Sequence, residues 1–335
     1  SDNFIQISSM KRINWGIIGC GDVTEKKSGP AFNLVKDSAL IAVMRRNADK
    51  ARDYAIRHNV PKWYSHADDL INDKEVNAIY VATPPSSHEE YALKAMNAGK
   101  PVYIEKPMSV DAASAGRISD AAKNADVKLS VAHYRRGQPY FNEIKKLINA
   151  KAIGEVRTVQ LNFCKKLFSR EELNLPGNKW RVDPVISGGG IFHDLAPHQL
   201  DILYYFFGNV SEAKGIAICQ SGLYEAADVV MGSMLFKSGI AFNGVWRFNV
   251  NAWEEEDVCK VHGTDGTLTF SFFNEQKITT DLKGKREEIS FTPPYHVQQP
   301  LIEKVVRYFL NEGPNPCSGE EGVAIMELID AFTKK

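Results

Sequence analysis

The feature that most constrains this chain is an apolar run, Ile13 to Ile18, that ends directly in Gly19-Cys20-Gly21-Asp22-Val23-Thr24. Glycines at the first and third positions let the backbone turn tightly and approach a pyrophosphate. The helix that follows then presents its N-terminus to the negative charge. The sixth position of a complete fingerprint is Gly or Ala; here it is Thr24, so the loop alone is also compatible with a simple turn. Its context decides. Three more apolar runs follow, Ala39 to Met44, Ala78 to Ala82 and Val102 to Ile104. Helical patterns lie between and after them at Ala48 to His58, Ser86 to Ala98 and Val110 to Ala125. This alternation predicts βαβ units and a doubly wound parallel sheet, an α/β Rossmann arrangement. Ser86 with Glu89 reads as a capping box, and Gly99 as the helix stop.

Beyond about residue 150 the period changes. Val159, Leu161 and Phe163 alternate with Gln160 and Asn162. Phe242, Trp246 and Phe248 share one face of the run Ile240 to Phe248, and Gly263-Thr-Asp-Gly266 is a turn between β runs. Period-two alternation predicts an α+β domain with a large, mostly antiparallel sheet, one face covered and one open. A long helical stretch from Gly190 to Phe207 interrupts it, and Leu301 to Asn311 and Glu320 to Phe332 are helical. The expected division is residues 11–130 for dinucleotide binding and 131–335 for substrate binding and oligomerisation. The C-terminal helix is a candidate to pack back on the first domain.

The bulk numbers narrow the function. Lys plus Arg equals Asp plus Glu, 41 against 41, in 335 residues. Such a chain has no global field to attract a polyanion, so neither nucleic acid nor an acidic membrane is an expected partner. No apolar run approaches the roughly 18 residues of a membrane span. Ser1 to Met10 is polar, lacks the apolar stretch of a secretion signal, and reads as a short tail. Cys20, Cys164, Cys219, Cys259 and Cys317 are scattered, which suits a reducing, cytoplasmic setting and no cysteine zinc site.

The cofactor follows from the sheet edge. An NAD site normally carries an acid at the end of the second strand, about 20 residues after the loop, for the ribose 2′-hydroxyl. Here that strand ends Met44-Arg45-Arg46-Asn47. Two arginines suit a 2′-phosphate, so NADP is favoured over NAD. The expected cofactor contacts are Gly19, Cys20, Gly21, Asp22 and Val23 of the loop, with Arg45 and Arg46. Thr83, Pro84 and His88 join them after the strand that ends near Ala82, as do Glu105 and Lys106 after the next strand.

Two elements carry candidate chemistry. Glu105-Lys106-Pro107 places a lysine at the cleft edge, where it can polarise a hydroxyl. Gly188-Gly189-Gly190 leads into a helix with Asp194, His198 and Asp201. Asp194 and His198 are four apart on one face, so direct coupling is expected. A carboxylate beside an imidazole raises its pKa and gives an acid/base near neutrality. His193 points elsewhere, and no metal site is expected.

These motifs, in this order and spacing, resemble the glucose-fructose oxidoreductase, inositol dehydrogenase and rhizopine-catabolism (Gfo/Idh/MocA) family of nicotinamide oxidoreductases, from about Ile13 to Phe332. Trp180-Arg181 and Val261-His-Gly-Thr-Asp-Gly266 add to the likeness. The resemblance implies catalytic roles for Lys106, Asp194 and His198. His198 would exchange the proton of a sugar or polyol hydroxyl, Asp194 would hold and tune it, and Lys106 would polarise the oxygen. It also implies substrate contacts at His133, Trp180, Arg181, Asp194, His198 and Tyr295, although His133 stands where relatives often carry Asn. The expected activity is NAD(P)-dependent oxidation or reduction of a carbohydrate-like CH–OH group, by a homodimer or homotetramer. The alternatives are a redox-assisted NAD-dependent glycosidase and a non-catalytic dinucleotide sensor.

Overall fold

In the computed structural model, which describes residues 10–334, six strands form the first sheet. They are β1 (Ile13–Ile18), β2 (Ser38–Met44), β3 (Lys62–Tyr64), β4 (Ala78–Val81), β5 (Val102–Ile104) and β6 (Leu129–Val131). Their order is β3-β2-β1-β4-β5-β6, and every pairing is parallel. Central strands of such a sheet are covered on both faces, which is why β1 and β4 read as continuous apolar runs. Trp15 of β1 is fully buried against Phe32, at 4.8 Å between ring centroids, and donates its indole N–H to Ser38 Oγ at 3.0 Å. The strand order reverses between β1 and β4, and it is there, outside the carboxyl ends, that this fold makes its crevice. Residues 1–9 of the expected polar tail lie outside the described residues.

The helix after β4 is shorter than the pattern predicts. It spans His88–Asn97, and its N-cap, Ser87, makes no side-chain cap bond. Pro84 and Pro85 divert the chain into a 3₁₀ turn, Pro85–Ser87, that absorbs Ser86. The expected Ser86–Glu89 capping box therefore does not form, and Glu89 pairs with Arg117 instead. A full capping box does open the last helix, where Ser318 and Glu321 supply it. The strands β3 and β6 and the helices Ala67–Asn72 and Pro139–Asn149 add to what the sequence pattern marks.

The second sheet has eight strands, β7 (Val156–Lys166), β8 (Val210–Ile218), β9 (Val229–Phe236), β10 (Ala241–Val250), β11 (Glu256–Gly263), β12 (Gly266–Phe270), β13 (Lys277–Leu282) and β14 (Lys285–Ser290). Their order is β14-β13-β12-β11-β7-β10-β9-β8. All pairs are antiparallel except β7 with β10, which is parallel. Val159, Leu161 and Phe163 of β7 and Phe242, Trp246 and Phe248 of β10 point to one covered face.

That face fixes the helix Ile191–Phe207. Phe192 meets Trp246 edge to face at 5.1 Å, and the Trp246 indole donates to Gln199 Oε1 at 2.6 Å. Residues seven apart share a helix stripe, so anchoring Phe192 and Gln199 on the sheet turns Asp194 and His198 toward the first domain. The final helices run back to the first sheet. Val305, Val306 and Phe309 of the helix Gln299–Phe309 join the Trp15 core, and Gly322 of Gly319–Thr333 sits against Met108 and Val131. No helix among the described residues is long and apolar enough to cross a membrane.

Candidate active site

The carboxyl edge of the first sheet and the helix Ile191–Phe207 enclose a cleft of about 860 Å3. Its floor is the glycine loop. Gly19 has φ +92°, and a Cβ there would lie 2.7 Å from Thr83 Cγ2, so glycine is required by both conformation and crowding. At Gly21 a Cβ would meet nothing nearer than Gly19 O at 4.0 Å, which leaves the backbone open to the cleft. Gly19, Gly21, Asp22 and Val23 line it, as do Thr83 and Pro84. The geometry fits a dinucleotide: an open glycine turn, the start of a helix, and cations at the far corner.

That corner consists of Arg45, Arg46 and Lys50. Arg45 also reaches back to Cys20 O at 3.4 Å. Asn47 carries no charge and caps the helix Ala48–Arg57 through its side chain. Lys50, one helical turn beyond Arg46, escaped the sequence reading. Its spacing of four from Arg46 at a helix start is the signal that marks it.

Two expected cofactor contacts are displaced. The Cys20 side chain points into the core, where burial pushes its thiol up to about 11. His88 is fully buried behind the loop, bridging Thr83 O at 2.7 Å and Met108 O at 3.2 Å. It braces the Thr83 turn from below and does not face the cleft, because the helix it opens begins under the sheet edge.

Glu105 and Lys106 do line the cleft. Glu105 is tied on both oxygens. Oε1 accepts from Tyr80 at 2.5 Å and from Gln298 at 2.6 Å, and Oε2 accepts from the Lys106 backbone N–H at 3.0 Å. Lys106 Nζ donates to Asp194 Oδ1 at 2.9 Å and to the Asp194 carbonyl at 2.8 Å. Arg181 Nε takes the other carboxylate oxygen at 2.9 Å. Burial works to raise the Asp194 carboxyl, but Lys106 and Arg181 overcome it and hold the group below the usual range. Trp180 and Arg181 both line the cleft from the short turn Trp180–Val182.

The expected Asp194–His198 pair is absent. Both Asp194 oxygens are already engaged, and charge-assisted bonds to cations are stronger than one to a neutral ring. His198 lies edge-on between Tyr134 at 5.2 Å and Phe273 at 5.6 Å, and its Nδ1 is buried without a hydrogen-bond partner. Burial drives its pKa well below the normal value, and Lys106, Arg135, His133 and Lys27 push the same way. The imidazole lining the cleft is therefore neutral at neutral pH, the reverse of the raised value that a carboxylate neighbour implies. The glycine triplet makes room for this helix: a Cβ on Gly189 would enter the His193 ring at 2.1 Å.

The remaining expected contacts divide. His133 is buried behind the cleft, with Nδ1 3.8 Å from Asp201 Oδ1, and burial lowers it to about 4. Asp201 itself is held by Arg136 at 2.7 Å. In the same turn the neighbours Tyr134 and Arg135 face the cleft in place of His133. Tyr295 is 73 % exposed under Lys26 and lies outside the cleft. Gln298 reaches Glu105 from a segment that carries no motif, so no local signal marks it.

The two halves of this cleft have a known pairing. Residues 13–133 match the oxidoreductase family with an NAD-binding Rossmann fold, and residues 141–269 match the GFO/IDH/MocA C-terminal domain. The chain belongs to the Gfo/Idh/MocA oxidoreductase family. Oxidoreductase P35 of Formosa agariphila is 46% identical over 325 residues, covering 96% of this chain and 98% of that one. The 1,5-anhydro-D-fructose reductase of Ensifer adhaerens is 28% identical, with 92% of each chain covered. Among solved structures, the aldose-aldose oxidoreductase of Caulobacter crescentus superposes with a TM-score of 0.84 at 24% identity, covering 96% of each chain. The family membership makes the protein an NAD(P)-binding oxidoreductase.

Proposed function

We propose that the protein interconverts a hydroxyl and a carbonyl on a sugar or polyol, with His198 as the acid/base. The observation that carries this reading is the placement of neutral His198 and charged Lys106 on the same cleft as the glycine loop. Bound there, NAD(P) supplies the hydride acceptor or donor. A neutral imidazole can take the hydroxyl proton during oxidation and return it during reduction. Lys106 stabilises negative charge on the reacting oxygen. Asp194 acts through Lys106, fixing the ammonium with two hydrogen bonds, rather than through His198. The 1,5-anhydro-D-fructose reductase and aldose-aldose oxidoreductase relatives support a carbohydrate-like substrate.

We infer NADP as the preferred cofactor from Arg45, Arg46 and Lys50 and from the missing acid at the end of β2. We also infer a homodimer or homotetramer built on the open face of the second sheet. Ile216, Met231 and Leu235 are 58, 41 and 37 % exposed there, and Met231 sits directly opposite Ile216 across the β8–β9 pair. A sheet face with exposed aliphatic side chains is stabilised by a second copy.

His198→Asn should leave the cofactor dissociation constant unchanged and lower kcat by about 10²–10⁴-fold. Lys106→Ala should cost a comparable factor, and the double variant less than the product of the two, because both act on one oxygen. Near wild-type turnover in His198→Asn at saturating substrate removes His198 from the mechanism. Titration with NADP and NAD should show tighter NADP binding in the wild type. Arg45→Asp should erase about 1.5–3 kcal/mol of it, roughly tenfold to a hundredfold; equal wild-type affinities defeat the assignment. Light scattering at micromolar concentration should report a multiple of 37.4 kDa, and a monomer refutes the pairing.

A further inference from the structure

Among the described residues, the cleft holds one buried cation that no carboxylate neutralises. Arg135 is 8 % exposed, its Nε is buried with no hydrogen-bond partner, and no carboxylate among the described residues pairs with it. Lys27, which also lines the cleft, is exposed to solvent, and the less exposed cations nearby are already paired. Arg136 is bound to Asp201 and Glu321, and Lys106 and Arg181 are bound to Asp194. The two acids on the same side of the cleft are equally committed, since both oxygens of Asp194 and both of Glu105 already accept hydrogen bonds, and Asp22 belongs to the glycine loop.

The Arg135 guanidinium lies over the Phe273 ring at 4.5 Å, with Tyr134 at 5.3 Å and Phe141 at 5.7 Å. Aromatic faces stabilise the flat side of the cation. They leave its edge donors unused. A guanidinium stays charged at any physiological pH and carries five N–H donors, so burying it without an anion is unfavourable. Arg135 lines the cleft beside His198 and Lys106. The missing anion therefore enters with the ligand. The guanidinium fork accepts either a carboxylate or a phosphate, but one uncompensated cation balances a singly charged carboxylate and would leave a dianion with one unpaired buried charge.

We propose that the substrate is a sugar acid, a polyhydroxy carboxylate of the hexuronate type, whose carboxylate pairs with Arg135 while a neighbouring CH–OH faces His198 and Lys106. The proposal rests on the hydroxyl–carbonyl chemistry argued above. In oxidation the C–H hydrogen leaves with its electron pair as hydride to NAD(P)+, the O–H proton passes to His198, and the carboxylate is unchanged.

The test compares glucuronate and galacturonate with the matching neutral hexoses and with hexose 6-phosphate and 6-sulfate, on the cofactor-loaded protein. Binding is read by calorimetry and turnover by nicotinamide absorbance, for wild type, Arg135→Gln and Arg135→Lys. Hexuronate should bind tighter than the neutral hexose by about tenfold or more, and Arg135→Gln should collapse that preference by roughly ten- to a hundredfold. Arg135→Lys should recover part of it, and the NADP dissociation constant should stay fixed. Preference for neutral hexoses, or an unchanged preference in Arg135→Gln, overturns the proposal. Preference for the phosphate or sulfate overturns the carboxylate. A weakened NADP affinity in Arg135→Gln reassigns the arginine to the cofactor and overturns it too. Hexuronate binding that depends on Arg135 but gives no turnover upholds the anion site and defeats the hydride-transfer reading instead.

Discussion

One carboxylate joins the two walls of the cleft. Asp194 takes Lys106 on one oxygen and Arg181 on the other, joining the edge of the first sheet, the Trp180–Val182 turn and the long helix of the second domain. Breaking such a pair by removing one partner typically costs about 3–5 kcal/mol, because the remaining charge stays buried. The same commitment has a chemical result. Asp194 faces these two cations and makes no hydrogen bond to His198, which is left among cations and packed between rings. Its neutrality follows first from burial and then from the cations around it, with no carboxylate bonded to the ring to oppose them.

A second ion cluster carries the arrangement outward. Arg136 binds Asp201 on the same helix as Asp194 and reaches Glu321 on the last helix, which packs on the first sheet. Glu105 is fixed by Tyr80 from β4 and by Gln298 from the segment before the helix Gln299–Phe309. Each wall of the cleft is thus held from a distant part of the chain. Preorganised polar groups of this kind stabilise developing charge without reorganising during the reaction. Arg135 stands apart because its guanidinium lies over aromatic rings and no carboxylate among the described residues pairs with it.

The architecture was legible because it depends on local signals. Apolar runs alternating with helical patterns indicate the parallel sheet, and period-two alternation at Val159 to Phe163 and Phe242 to Phe248 indicates the second sheet. The glycine loop and the residues Lys106, Asp194 and His198 are found together at the cleft. What the sequence hides is pairing. Spacing of four makes Asp194 and His198 neighbours on a helix, but it says nothing of Lys106 and Arg181, which arrive from other elements and claim the carboxylate first. Likewise, His133-Tyr134-Arg135-Arg136 announces a polar turn without showing which side chain faces the cleft. The 3₁₀ geometry of Tyr134–Gly137 turns Tyr134 and Arg135 toward it and buries His133. Ser86 and Glu89 have capping-box spacing, yet Pro84 and Pro85 shift the helix start past them.

The most direct measurement is the titration of His198 by nitrogen NMR on histidine-labelled protein, with His198→Asn used to assign the signal. A group whose folded pKa is lowered stays neutral as pH falls through the ordinary histidine range, while the unfolded chain takes up the proton there. Folding stability attached to it is therefore lost as pH drops below about 6.5. The His198 signal should remain that of a neutral imidazole at pH 6.5 and well below it. A midpoint at or above 6.5 would contradict it, because it would place a free carboxylate beside the ring and return Asp194 to His198.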